Sequence, residues 1–198
     1  EGTSIGFVFE PMEGLTLTAD WWSIEKNDTI GLFGEENHMI LDLLYRLQAG
    51  TANCSMTFND AVVRMGPDDD QLAAYAEAGI CPAGTATRVD DLYLNLDTRE
   101  LEGYDIGLYY DVDTDFGRFA FRYNGSFLDK FEQAASGRAG MLVAAQASGE
   151  LPANIPVDGF ADLLGRDGNQ EERHSASLTW RKGDFGASLS GYQIGSFY

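Results

Sequence analysis

From Asp91 to Val112 the chain keeps a single alternation, and few folds can use it. Leu92, Leu94, Leu96, Tyr104, Ile106, Leu108, Tyr110 and Val112 share one phase. Asp91, Asn95, Asp97, Arg99, Gly103, Asp105, Gly107 and Asp111 share the other. Period two marks a strand with one apolar and one polar face. At about 3.4 Å per residue the segment predicts a strand roughly 70 Å long. Strands of ordinary globular domains run to about 5–6 residues. A strand this long fits a large, tilted barrel that projects beyond a bilayer.

Residues 118–131 carry the same pattern. Phe119, Phe121, Tyr123, Phe127 and Phe131 fall on one side, and Arg118, Arg122, Asn124, Ser126 and Lys130 on the other. Aromatics on one face with cations behind them suit a lipid-facing wall with a polar lumen better than a soluble sandwich. Residues 15–26 set Leu15, Leu17, Ala19 and Trp21 against Thr16, Thr18, Asp20 and Trp22. Residues 173–181 set His174, Ala176, Leu178 and Trp180 against Arg173, Ser175, Ser177, Thr179 and Arg181. Shorter strands are expected at 4–10 and 185–197.

The connections are of two kinds. Pro11–Gly14, Asp113–Gly117 and Lys182–Asp184 have the chemistry of tight turns. Between them lie two long segments, 32–90 and 132–172. Short and long connections in alternation are the habit of outer-membrane barrels, which have short periplasmic turns and long extracellular loops. The first long loop is expected to be partly helical. Met39, Ile40, Leu43, Leu44 and Leu47 are spaced for one helix face, and Asp68–Ala78 reads as a second helix with acids in its first turn.

The formal net charge of −19 argues against nucleic acid as a partner, because phosphates repel such a surface. Most of that charge sits in the loops. Residues 32–91 hold ten acids and three bases, and residues 132–172 hold seven acids and two bases, so together they carry −12 of the −19. A solvated face is the ordinary reading of these acids. A cation site, for example for calcium, near Asp68, Asp69 and Asp70 or near Asp90 and Asp91 is the narrower one. No run of about 18 apolar residues predicts a transmembrane helix, and that does not bear on barrel strands. Cys54 and Cys81, with only a distant His38, are too few for a metal site. They are free thiols or a disulfide, and the oxidising compartment that a barrel implies favours the disulfide.

With these residues in view, the chain resembles the C-terminal half of TonB-dependent outer-membrane receptors. Pro11, then Gly14 to Ile24 with its Asp20-Trp21-Trp22, is similar to the family's proline turn and following strand. Ile30 fits the strand end before a long loop with paired cysteines. Asn95-Leu96-Asp97 with Glu102 to Ile106, Gly117-Arg118-Phe119, Asn124 to Phe127, Leu178-Thr179-Trp180 and Gly191-Tyr192 follow in the family's order. The resemblance implies an all-β fold: about six antiparallel up-and-down transmembrane strands of a 22-strand barrel, with long, partly helical extracellular loops. It implies one partial barrel domain over 1–198, with the plug domain, its coupling box and the last strands absent. Tyr198 is then an aromatic end of the kind outer-membrane proteins prefer, although the family order calls for about three more strands after Tyr192. An open sheet of this kind would expose two edges and a lipid face, and should not be stable alone in water.

The function implied by the resemblance is active import. A scarce ligand such as a siderophore, haem, a vitamin or a saccharide binds outside, and TonB supplies energy through the plug. The expected partners are outer-membrane lipid, TonB and a small molecule at the extracellular loops. No cofactor and no enzymatic activity are expected, since no catalytic constellation is present. Candidate ligand residues are the loop side chains Phe33, His38, Tyr45, Phe58 and Tyr75, set against the plain alternative that they form loop core. Asp105, Asp111, Arg118 and Arg122 are expected to face the lumen as an ion-pair ladder. Trp21, Trp22, Trp180 and Tyr110 read as wall and girdle aromatics, and His174 as an interfacial polar residue. Two other classes remain open: a passive porin, and a soluble secreted β-rich binding module or enzyme.

Overall fold

The computed structural model describes residues 1–52, 54, 58–166 and 168–196. In chain order the elements are β1 (Gly2–Met12), β2 (Leu15–Lys26), β3 (Ile30–Gly31), α1 (Glu35–Ala49), β4 (Val62–Arg64), α2 (Asp69–Ala78), β5 (Ala86–Val89), β6 (Leu94–Asn95), β7 (Arg99–Thr114), β8 (Gly117–Gln133), α3 (Gly137–Ser148), β9 (Ala161–Asp162), β10 (Glu172–Lys182) and β11 (Phe185–Ile194). They form two compact units. Glu1–Lys26, Arg99–Gln133 and Asp162–Tyr198 make a sheet unit, and Asn27–Thr98 with Ala134–Ala161 make a loop unit.

The sheet unit is an antiparallel meander in the order β1-β2-β7-β8-β10-β11, with the short β9 added to β8. Both long insertions, between β2 and β7 and between β8 and β10, leave and return at the same strand ends, and the tight turns close the opposite ends. At the first turn Gly14 has φ 79°, and a Cβ there would meet the Asp111 carbonyl oxygen at 2.1 Å. Only glycine satisfies both the turn and the close approach. Among the described residues β1 and β11 each pair with a single strand, so the sheet is open rather than closed into a barrel.

Cross-strand partners share a face, so the register sorts the side chains. One face carries the rows Ile5–Trp21–Tyr104–Phe127, Phe9–Leu17–Leu108–Tyr123–Ala176, Tyr110–Phe121–Leu178–Leu189 and Val112–Phe119–Trp180–Ala187. The other carries Asp20–Asp105–Ser126–Arg173 and Thr16–Tyr109–Arg122–Ser177–Ser190. The apolar face has no protein cover at the edge strands: Phe7 is 65% and Leu189 is 75% exposed. The alternation in 15–26 and 173–181 assigns these faces correctly.

Three expectations need correction. The alternation of 92–112 is not one strand. β7 begins at Arg99, Leu92 is exposed in a loop, Leu94 belongs to β6, and Leu96 is buried in the loop unit. The backbone breaks where the Asp97 carboxylate takes the Thr98 N–H at 2.8 Å and the Leu96 N–H is claimed by the Thr29 carbonyl. A short side chain that bonds its neighbouring backbone diverts the chain from a ladder. Phe131 and Lys130 do not keep the phase of Phe127 and Ser126. β8 has a bulge here, so Glu102 pairs with Lys130 while Gly103 pairs with Leu128, and every side chain beyond it changes face. Phe131 therefore faces with Leu101, where the Arg99 guanidinium lies 5.7 Å from its ring. Finally, the buried face of α1 is Asn37, His38, Ile40, Leu41 and Leu44, while Leu47 is exposed.

In the loop unit, α1 and α3 pack around Phe33, Leu41, Leu44, Leu96, Leu142, Leu151 and Phe160. α1 starts at Gly34, which has no side chain to cap it, and the Asp91 carboxylate takes the Phe33 and Gly34 N–H groups instead. α2 is capped by Asp68, which accepts from Gln71 N while Gln71 returns a bond to Asp68 N. Cys54 and Cys81 are joined in a disulfide. Among the described residues no helix is long and apolar enough to cross a membrane. Tyr198 lies outside the described residues.

Candidate functional site

The loop unit contains a cleft of about 350 Å³. Its floor is apolar, made by Phe33, Leu96 and Phe160, and its rim carries Asp97, Ser136 and Arg138. Each wall follows from local structure. Phe33 is held by Asp91 at the entry to α1, its ring 5.9 Å from that of Phe160. Phe160 is delivered by the segment that follows α3. Asn37, fully buried, fixes that segment by donating to the Phe33 and Asp158 carbonyls and accepting from Asp158 N. Leu96 follows β6 and donates its N–H to the Thr29 carbonyl, and Arg138 lies in the first turn of α3.

The Asp97 carboxyl is held below its ordinary range by the Thr98 N–H, then by the Ser136 hydroxyl, both of which bond to the charged form. A depressed carboxyl favours the folded state above the unfolded-state value of 3.8 and loses that contribution as pH falls through its own lower value. Acidification below about pH 4 should therefore release the Thr98 amide before the sheet responds. Amide exchange followed by NMR from pH 6 to pH 2 reads this. Thr98 protection that does not change below pH 4 would contradict it.

Behind the cleft lies a polar bolt. His38 is 3% exposed; its Nε2 faces Asp91 Oδ1 at 3.3 Å, and Asn59 Nδ2 lies 3.3 Å from its Nδ1 and donates to its carbonyl at 2.8 Å. With Asn59 Nδ2 directed at Nδ1, Nε2 is the ring nitrogen directed at Asp91. A second bolt centres on Asp42. Its Oδ2 accepts from Arg46 Nε and from Arg64 Nη2, each at 2.9 Å.

The candidate ligand residues separate accordingly. Phe33 reaches the cleft. His38 is internal. Tyr45 packs on the helical core, and its hydroxyl lies 3.9 Å from Met141 Sδ. Phe58 carries the Arg46 guanidinium 4.5 Å above its ring. Tyr75 is half-buried on α2 and is not among the lining residues. Asp68 is a helix cap, Asp69 and Asp70 complete that helix's first turn, Asp90 pairs with Arg88, and Asp91 holds α1. On the polar face of the sheet, Asp111 pairs with Arg122 and, at 3.8 Å, with Arg118. Asp105 stands opposite Asp20 and Ser126, and among the described residues it makes no ion pair. On the apolar face His174 meets the Tyr123 hydroxyl at 2.8 Å and Glu172 at 3.5 Å.

Sequence reasoning missed Leu96, Asp97, Ser136, Arg138 and Phe160 as a group. One signal was available: Arg138 is the single cation between Gln133 and Gly165. No family model, curated protein or solved structure matches the chain.

Proposed function

We propose that the chain is part of the wall of a bacterial outer-membrane β-barrel of the TonB-dependent receptor kind, an active importer that captures a scarce small molecule at its outer loops. The observation that carries this reading is the two-faced sheet. From Tyr104 to Val112 the apolar phase of β7 runs about 27 Å along the strand. At a tilt of about 40° that is about 21 Å of height, close to the apolar band of outer-membrane barrels, about 25 Å tall. Trp21, Tyr104 and Phe127 stand in the row at one end of the band, and Phe119 and Trp180 in the row at the other. Such rows suit aromatic girdles at two interfaces. Uncovered apolar area on this scale needs lipid or protein cover. Both insertions leave and re-enter the sheet at the same strand ends, the connectivity of extracellular loops.

Leu108 lies midway in the band. Leu108→Arg should cost about 2–4 kcal/mol at a bilayer midplane. Thr18→Arg, on the polar face beside Asp20, should cost little. Folding of the intact protein into lipid vesicles, followed by heat-modifiable gel migration, compares the two. Equal tolerance of both would sink the membrane reading. Active import further predicts that uptake stops when the proton-motive force is dissipated. A passive porin would be insensitive to that treatment.

A further inference from the structure

The loop unit is acidic, and its cations are nearly all consumed. Residues 27–98 and 134–161 contain fourteen acids and four arginines. Arg46 and Arg64 are bound to Asp42, and Arg88 to Asp90. Arg138 is the exception: among the described residues it makes no ion pair, although acids outnumber bases in these segments. It stands on the rim of the cleft described above, over a floor of Phe33, Leu96 and Phe160. On the same rim the Asp97 carboxylate accepts from the Thr98 N–H at 2.8 Å and from the Ser136 hydroxyl. A rim with one free guanidinium and one anchored carboxylate, over an apolar floor, matches a molecule with the converse arrangement.

We propose that this cleft binds a small zwitterion with an apolar side chain, an amino acid or the end of a short peptide. Arg138 takes the carboxylate, Asp97 takes the ammonium, and the side chain lies on Phe33 and Phe160. Three features select this class. The volume, about 350 Å³, lies at the low end of ligand pockets, so the ligand is small. The strongly negative unit repels a bare anion, and a zwitterion carries no net charge into it. A guanidinium binds a carboxylate with paired, charge-assisted hydrogen bonds, which fixes orientation as well as affinity. The inference rests on the receptor reading above, because it names the class of molecule that the outer loops would capture.

The test is calorimetry on the intact, detergent-solubilised protein with L-phenylalanine, 3-phenylpropionate and phenethylamine. These probes present both charges, the anion alone and the cation alone on similar bodies. L-Phenylalanine should bind, and each single-charge probe should bind roughly tenfold more weakly or worse. R138Q should weaken L-phenylalanine by a similar factor while leaving heat-modifiable migration unchanged. D97N should reduce the preference for L-phenylalanine over 3-phenylpropionate. Equal binding of L-phenylalanine and 3-phenylpropionate would overturn the zwitterion, and so would unchanged binding in R138Q. No binding of any probe to a protein that still migrates as a folded barrel would overturn the inference and leave the wall reading standing. Loss of heat-modifiable migration in the unmutated protein would strike the receptor reading itself.

Discussion

Replacing Asp42 with alanine should destabilise the loop unit by about 3–5 kcal/mol, because it strands buried charge rather than removing one contact. The carboxylate side chain is 2% exposed. Its Oδ2 is shared by Arg46 on the same helix and Arg64 on β4, so one side chain neutralises two guanidiniums. Those guanidiniums also donate onward, Arg46 to the Pro82 carbonyl at 3.0 Å and Arg64 to the Gly84 carbonyl at 2.8 Å. The cluster thus ties α1 and β4 to the strand of chain leading into β5. Without the carboxylate both cations keep their desolvation and lose their counter-charge. Asp42→Asn keeps the shape and one acceptor, and should cost less. Urea unfolding read by amide exchange in residues 35–64 measures the effect. A cost below about 1 kcal/mol would mean the pair behaves as a surface salt bridge.

Removing the disulfide should have nearly as large an effect, by a different route. Cys54 and Cys81 are separated by 27 residues. In the chain-entropy model, opening a loop of that length costs about 3–4 kcal/mol, through the unfolded state. The enclosed segment needs the constraint. It contains β4, α2 and little apolar mass, for α2 has no buried residue. Cys54→Ala with Cys81→Ala should lower the melting of the loop unit and leave the sheet unchanged. Alanine is chosen because Cys81 is fully buried and a serine hydroxyl would add its own penalty. Melting with and without reductant gives the comparison. Identical curves would show that the loop unit holds itself together without the link.

The sheet was legible because period two is long, and because cross-strand partners keep each phase on one face. Leu15 to Trp21 and His174 to Trp180 keep strict register with their neighbours, so sequence parity and structural face coincide. Parity failed where the backbone has a local alternative. Asp97 and Thr98 turn the chain aside, yet Leu92, Leu94 and Leu96 carry the same alternation as β7. The bulge near Asp129 is invisible in composition, but it exchanges the faces of Lys130 and Phe131. In α1 the spacing identified a helix, but the buried polar residues Asn37, His38 and Asp42 turned its core face toward Leu41. The cleft was the least legible part. Its floor joins Phe33, Leu96 and Phe160 from distant segments, none with a local pattern that marks it. Arg138 alone carried a trace, as an isolated base in an acidic stretch.

If the apolar face of the sheet meets lipid, the chain's three tryptophans report on it directly. Trp21 and Trp180 stand on the apolar face, in the rows at the two ends of the band, and Trp22 stands on the polar face. Single-tryptophan variants of the intact protein, folded into vesicles whose acyl chains are brominated close to the headgroups, separate them. Quenching of Trp21 and Trp180 with Trp22 unaffected is the result expected of a wall in contact with lipid. Quenching of Trp22 as strong as that of Trp21, or no quenching at any of the three, would contradict it.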